Sequence, residues 1–496
     1  MVSSEAVPYA KTGGLGDMVS SLSLALSEEG HDVRLIIPRY YGINVNEKGF
    51  KLIEGPMGVP MGGREEWCQV FESTLPGGNV KQKEGKKNPV KVYFIDHENF
   101  FGRDGIYGTP WEPDFLDNAR RFTFFSRAAF QLCRKLAWYP DVLHAHDWPS
   151  ALVPVLLKYG ERQGSLAKTV SVLTIHNLGY QGTYSTDNFY ATGLGWDVFY
   201  SAGFDDWNKM NLLKAGICSA DIVNTVSPNY AEETKTAAYG FGLDGILRGR
   251  GKNYRGILNG IDSDIWNPAK DPFIPVAYNK DDISGKEAAK KLLQEEFGLP
   301  PSPDIPVVSM ITRLASQKGV GELFGPTYGS AYSFCRDMRL QFVVLGSGEA
   351  WCEDEIRTLT GKLSNFKAKI GFDNKLSHLI EAGSDFFLMP SQYEPCGLNQ
   401  MYSLAYGTIP IVRNTGGLTD TVENFNQETG SGTGFMFDYL SPSAIYNTVG
   451  WAIWAYYNRR SQIEAMRVRG MAQDFSWGKS AREYVSMYEE TIKANN

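Results

Sequence analysis

A single carboxylate stands where a buried strand turns into a loop, and cations or paired glycines recur at several other strand ends. Glu394 follows Phe386-Phe387-Leu388-Met389, an apolar run that reads as a buried parallel strand and stops at Pro390-Ser391. Pro395 and Gly397 set the turn and let backbone amides approach a ligand. A second run, Ile409 to Val412, delivers Gly416-Gly417 just past its end. In open α/β sheets that edge is where ligands bind, because loops converge there beside helix N-termini. Arg313 and Lys318 follow the run Val307 to Ile311, in a loop that leads into a helix. Two cations so placed suit a diphosphate, the arginine by forked hydrogen bonds and the lysine as a point charge. His176 and Asn177 close another strand, and Lys11 precedes the Gly13-Gly14 turn. Each feature taken singly also fits a solvated surface or a structural histidine; a series of them at strand ends fits a site.

Other chemistries are less well served. A dinucleotide site asks for Gly-x-Gly-x-x-Gly after a first strand. Gly13-Gly14-Leu15-Gly16 lacks that spacing, and Gly346-Ser347-Gly348 continues as Glu349-Ala350-Trp351. The P-loop pattern is absent. Asp262-Ser263-Asp264 is read as a turn or cap pair rather than a metal site. His144 and His146, two apart, stand among no cysteine or carboxylate pattern that would make them metal ligands. No metal and no cofactor is expected. Six scattered cysteines without a Cys-x-x-Cys pair suggest reduced thiols. A net charge of −7 argues against general affinity for nucleic acid or anionic membrane, so any phosphate site is local. No run of about 18 apolar residues is present to span a membrane.

The elements that position these residues alternate. Strands are expected at Val33 to Ile37, Val142 to His144, Val170 to Ile175, Ile222 to Val226 and Arg255 to Leu258, with helices between. Residues 50 to 96 read as antiparallel hairpins ending in Val90 to Ile95, with a solvated basic loop at Lys81, Lys83, Lys86 and Lys87. Trp266-Asn267-Pro268 breaks the pattern and opens a linker to about residue 282. Ser284 and Glu287 form a capping-box pattern before the next helix. Strands then recur at Val307 to Ile311, Phe342 to Leu345, Ala368 to Ile370, Phe386 to Met389 and Ile409 to Val412, and from Ile445 the pattern is helical. With 496 residues, too many for one core, this is an α/β chain of two doubly wound Rossmann-like domains.

The Pro390–Asp420 stretch resembles the C-terminal signature of the bacterial and plastidial starch and glycogen synthases, and Lys11-Thr12-Gly13-Gly14-Leu15 resembles their N-terminal one. His144-Ala145-His146-Asp147-Trp148, Thr174-Ile175-His176-Asn177-Leu178, Leu258-Asn259-Gly260-Ile261-Asp262 and Arg313-Leu314-Ala315-Ser316-Gln317-Lys318 follow in the family's order. The resemblance implies a GT-B fold, its two domains facing across a cleft. It divides the chain into 1–262, 263–471 and a helix in 472–496 that returns to the first domain. It implies transfer of glucose from ADP-glucose, or UDP-glucose, to the non-reducing end of an α-1,4-glucan or maltooligosaccharide with retention.

The site residues follow from the same resemblance. Arg313 and Lys318, with Lys11, Gly13 and Gly14, meet the diphosphate. His176 and Glu394 serve the reacting sugar. Asp147, Asn177 and Asn259 line the sugar site, and Asp17 lies near the nucleotide sugar or acceptor. Phe372, Cys396, Gly397, Leu398, Thr415, Gly416 and Gly417 belong to the nucleotide-sugar site. Tyr402 stands where many retaining transferases place a second glutamate eight residues on. Glu394 is then a nucleophile or, with front-side attack, a stabiliser of positive charge. A silent glucan-binding scaffold and a transferase with another sugar acceptor are the competing readings. A bacterial cytoplasm or plastid stroma is the expected location. Only Met1-Val2 remains of the family's usual first strand, which suggests a trimmed start.

Overall fold

The computed structural model describes residues 1–77, 89–327 and 329–495. Met1–Gly260 and Trp477–Asn496 form one compact unit, and Ile261–Ser476 form another. The basic loop with Lys81, Lys83, Lys86 and Lys87 lies outside the described residues. Among the described residues no helix is long and apolar enough to cross a membrane.

In the first unit a parallel sheet runs in the order Tyr254–Gly256, Ile222–Thr225, Val170–Ile175, Val142–His146. Val2 bridges Ala145 on one side and Ile36 on the other, joining that sheet to Arg34–Pro38 and Lys91–Asp96. Lys91–Asp96 pairs antiparallel with Arg64–Thr74, as the hairpin reading expects, and its other edge pairs parallel with Arg34–Pro38, which makes it a strand of the core sheet as well. Lys51–Leu52 and Met57–Met61 also pair antiparallel with Arg64–Thr74, and Thr183–Ser185, Lys209–Asn211 and Asp205–Asp206 form a small antiparallel sheet. Local sequence sets strand propensity but not the partner, which explains why the parallel pairing is not expected from it. The Trp477–Asn495 helix packs on the Gly14–Glu28 helix within this unit, burying Trp477, Ala481, Tyr484 and Met487.

The second unit is a six-stranded parallel sheet in the order Phe366–Ile370, Gln341–Gly348, Val307–Leu314, Phe386–Met389, Ile409–Arg413, Phe435–Phe437. In chain order this is 3-2-1-4-5-6, so the connection reverses between Val307–Leu314 and Phe386–Met389, the topological switch point. Alternate residues of each strand enter different cores. Val308, Met310, Phe386 and Leu388 join one cluster, while Val307, Phe387 and Met389 join the other. Burial on both faces accounts for the unbroken apolar runs. Asp385, just before the central strand, accepts the Val307 amide at 2.8 Å and pairs with Lys290 at 2.8 Å and Arg467 at 2.5 Å.

Two further expectations change. Ser284 has helical dihedrals and makes no side-chain cap; Asp282 Oδ1 accepts the Ser284 amide at 3.0 Å, so the capping box does not form. The segment after Trp266 is no free linker. Trp266 is stacked between His378, at 4.0 Å, and Tyr402, at 3.8 Å, and Asp271 Oδ2 accepts from Tyr406 Oη at 2.5 Å and lies 2.7 Å from His378 Nδ1. Tyr402, the departure from the paired-glutamate pattern, is thereby a packing residue.

Candidate active site

The switch point opens a cavity of about 320 Å³, lined by Arg313, Lys318, Phe372, Glu394, Gly397 and Leu398 among others. Arg313 lies on the strand itself, which extends to Leu314, and Lys318 ends the short helix Ser316–Lys318. Glu394 is only 6% exposed; its Oε2 accepts from Lys318 Nζ at 2.5 Å and from Ser391 Oγ at 2.9 Å. Burying a lone carboxylate is costly, and this pairing offsets that cost under the turn. An ammonium has three N–H donors, so one bond to Glu394 leaves two for a ligand oxygen. Arg313 is exposed, and among the described residues nothing holds its guanidinium. Phe372 is 84% exposed at the rim and offers a free ring face for stacking.

The next turn braces Glu394 from behind. The Gly417 amide donates to the Glu394 carbonyl at 3.0 Å. Gly416 has φ +48°, and a Cβ there would overlap the same carbonyl oxygen, so only glycine fits. Cys396 and Thr415 are buried supports of this turn and, like Gly416 and Gly417, do not line the cavity. The helix Asn399–Ala405 follows, and Asn399 Nδ2 donates to the Ile311 carbonyl at 2.9 Å, tying the two strand ends together.

In the first unit, Lys11 Nζ lies 2.7 Å from Asp17, in the first turn of Gly14–Glu28. Burial pushes the Asp17 carboxyl up, and Lys11 pulls it back. Glu5, unmarked in the sequence reading, organises this loop. Its carboxylate accepts the Thr12 amide at 2.6 Å, the Gly13 amide at 3.3 Å, the Thr12 hydroxyl at 2.7 Å and the Tyr107 hydroxyl at 2.7 Å. The Gly13 amide thus turns onto Glu5, whereas Gly14 opens a helix whose first N–H groups are free donors for an anion.

Asp147 adopts the left-handed region at φ +55° and accepts the amides of His176 at 2.7 Å and Asn177 at 3.4 Å. Burial raises its carboxyl to about 7. Asn177 Oδ1 accepts the Gly179 amide at 3.0 Å, and Asn259 is buried with its Oδ1 unpartnered among the described residues. Asp262 Oδ1 accepts the amides of Asp264 at 2.8 Å and Ile265 at 3.2 Å, the turn its sequence suggested.

His144, His146 and His176 form a column, with ring centroids 4.1 Å and 5.4 Å apart. Burial holds all three neutral, His176 down to about 3 and the others well below the ordinary range. An unfolded histidine gains its proton below about pH 6.5, so from there downward the unfolded chain binds three protons these rings refuse, and stability falls with pH. Asp147 acts oppositely, keeping when folded a proton that an unfolded carboxyl sheds near pH 4. Below about pH 6 the balance of two protons approaches about 3 kcal/mol per pH unit. The urea midpoint is expected to drop between about pH 7.5 and 5.5, and Asp147→Asn is expected to steepen the drop. A midpoint that holds or rises on acidification contradicts the neutral column.

Comparison with known proteins identifies the family. Residues 1–249 match the starch synthase catalytic domain family, and residues 295–467 match glycosyl transferases group 1. The chain is 56% identical over 493 residues to a glycogen synthase of Treponema denticola, covering 99% of this chain and 98% of that one. It is 42% identical to glycogen synthase 1 of Geobacter metallireducens, covering 99% and 96%. Its fold matches the catalytic domain of starch synthase IV from Arabidopsis thaliana, solved with ADP and acarbose, at a TM-score of 0.87 and 33% identity over 99% and 98% of the two chains. A sucrose-phosphate synthase from Thermosynechococcus elongatus shares the fold alone, at a TM-score of 0.59 and 16% identity.

Proposed function

The chain belongs to the starch and glycogen synthase family, a GT-B hexosyltransferase that lengthens an α-glucan from a nucleotide sugar, and we propose that ADP-glucose is its donor. The observation that carries the assignment of roles is the cavity at the switch point, where one buried carboxylate, its lysine and an uncommitted arginine converge.

Breaking the glucosyl–diphosphate bond leaves negative charge on the departing phosphate and positive charge on the sugar. Arg313 meets the phosphate with a forked donor, and the two remaining Lys318 N–H groups add a point charge. Glu394 faces the sugar and stabilises its oxocarbenium character; with Tyr402 committed to Trp266, no second carboxylate stands eight residues on. Front-side attack by the acceptor 4-hydroxyl then retains configuration without a covalent intermediate. Phe372 stacks on the base. The family resemblance assigns Lys11 and the Gly14 helix start to phosphate, and Asp147, His176 and Asn177 to sugar hydroxyls. The reading places the chain where nucleotide sugars are made, a bacterial cytoplasm or plastid stroma, in keeping with six cysteines that form no disulfide.

ADP-glucose and UDP-glucose offered together with maltooligosaccharide test this. We expect glucosyl transfer from ADP-glucose to dominate and the new linkage to be α-1,4 by NMR. Preference for UDP-glucose overturns the donor, a β linkage overturns retention, and transfer to fructose or glucose 6-phosphate in place of the glucan overturns the acceptor.

A further inference from the structure

The histidine column fixes where its protons sit. Thr174 Oγ1 donates to Asn224 Oδ1 at 2.7 Å, while the Asn224 amide nitrogen is committed to Tyr484 Oη at 3.0 Å. Thr174 Oγ1 therefore accepts from His144 Nε2 at 2.6 Å, which puts the His144 proton on Nε2. His144 Nδ1 accepts from the Tyr488 hydroxyl at 2.8 Å, reaching in from the Trp477–Asn495 helix. Clamped at both nitrogens, His144 is a fixed wall on which His146 packs.

His146 Nδ1 lies 3.1 Å from His176 Nε2, and one proton bridges them. The other His146 nitrogen, Nε2, is sealed with no partner among the described residues. Were His176 the donor, the His146 proton would sit on Nε2 as a buried N–H with nothing to accept it. Orphaned donors of that kind are rarer and costlier than an unused lone pair. The proton between the rings therefore belongs to His146. Both rings are neutral, so the one proton of His176 is on Nδ1, the nitrogen that no described residue contacts and that is not sealed from solvent.

We propose that His146 is a positioning residue that locks His176 as its Nδ1–H tautomer, making the outward nitrogen a permanent hydrogen-bond donor. His176 then gives a hydrogen bond to an oxygen and takes no proton from it. That the oxygen belongs to the transferred sugar rests on the proposed function; the tautomer does not.

With six histidines in the chain, protein labelled with ¹⁵N-histidine gives imidazole spectra that single substitutions can assign. We expect His144 protonated on Nε2, and His146 and His176 on Nδ1. In His146→Phe the His176 proton is released toward Nε2, and kcat falls about tenfold, the effect of one transition-state hydrogen bond. His146→Asn, whose side-chain amide can donate from near the Nδ1 position, restores the Nδ1–H state and part of kcat. A His176 proton on Nε2 in the unsubstituted protein overturns the proposal, as does an unchanged tautomer in a folded His146→Phe variant. Should that variant not fold, the spectrum of the unsubstituted protein decides. An Nδ1–H His176 in a chain that transfers no glucose sinks the function and leaves the positioning standing.

Discussion

Glu394→Gln lowers kcat about 10³-fold while KM for the nucleotide sugar stays within about threefold, because the lost charge acts on the transition state and not on the bound donor. Gln keeps the side chain's size and can still accept from Ser391, so the change is one of charge. In a site 6% exposed that charge is poorly screened, which is why the expected effect is large. Stability responds separately. Lys318 loses its partner, and breaking a buried pair costs roughly 3–5 kcal/mol when a charge is left alone. Lys318 is 18% exposed toward the cavity, so the fall is expected to be smaller. Adding Lys318→Met to Glu394→Gln removes the stranded charge. The pair of changes should recover Tm and leave kcat low. Glu394→Gln with near-normal kcat removes Glu394 from the mechanism, and recovery of activity alongside Tm would make its role structural.

Arg313→Ala is the complementary case. We expect kcat/KM to fall about 10²-fold, since a forked donor to the leaving phosphate is lost. The Tm should hardly move, because surface changes that break no packing or pairing stay within about 0.5 kcal/mol. Arg313→Lys should recover only part of the loss, as a point charge replaces the planar fork. A fall in Tm that parallels the fall in activity would show that Arg313 holds the fold together and reaches no substrate.

The contrast between these residues marks what kind of information each level carries. Phe386 to Met389 and Ile409 to Val412 were legible as buried strands, since an apolar run bounded by turn residues is a local property. The glycine turn at Gly397, with φ +72°, and the Asx turn at Asp262 were legible for the same reason: backbone sterics and one side chain's reach decide them within a few residues. The order of the motifs, and with it the family and a doubly wound α/β fold, could be read directly.

Three-dimensional pairing decided the rest. Phe435–Phe437 is too short to announce itself and is a strand only because Ile409–Arg413 offers it an edge. Lys91–Asp96 read as the end of a hairpin, which its pairing with Arg64–Thr74 bears out, but only the fold laid Arg34–Pro38 along its other edge and made it a core strand. Lys318 and Glu394, 76 residues apart, each read as an independent charge, and only folding made them a pair. Trp266 read as the start of a linker until His378 and Tyr402 closed on its two faces. Glu5 and His146 carried no signal of their own, because a carboxylate that holds a loop and a ring that sets its neighbour's tautomer act only through contact. Helix and strand periods, turns and caps depend on neighbours along the chain, so the amino-acid order by itself determined them. Strand partners, buried ion pairs and hydrogen-bond direction depend on groups brought together from distant positions, where packing and desolvation choose among many locally equal options, and those only the tertiary structure decided.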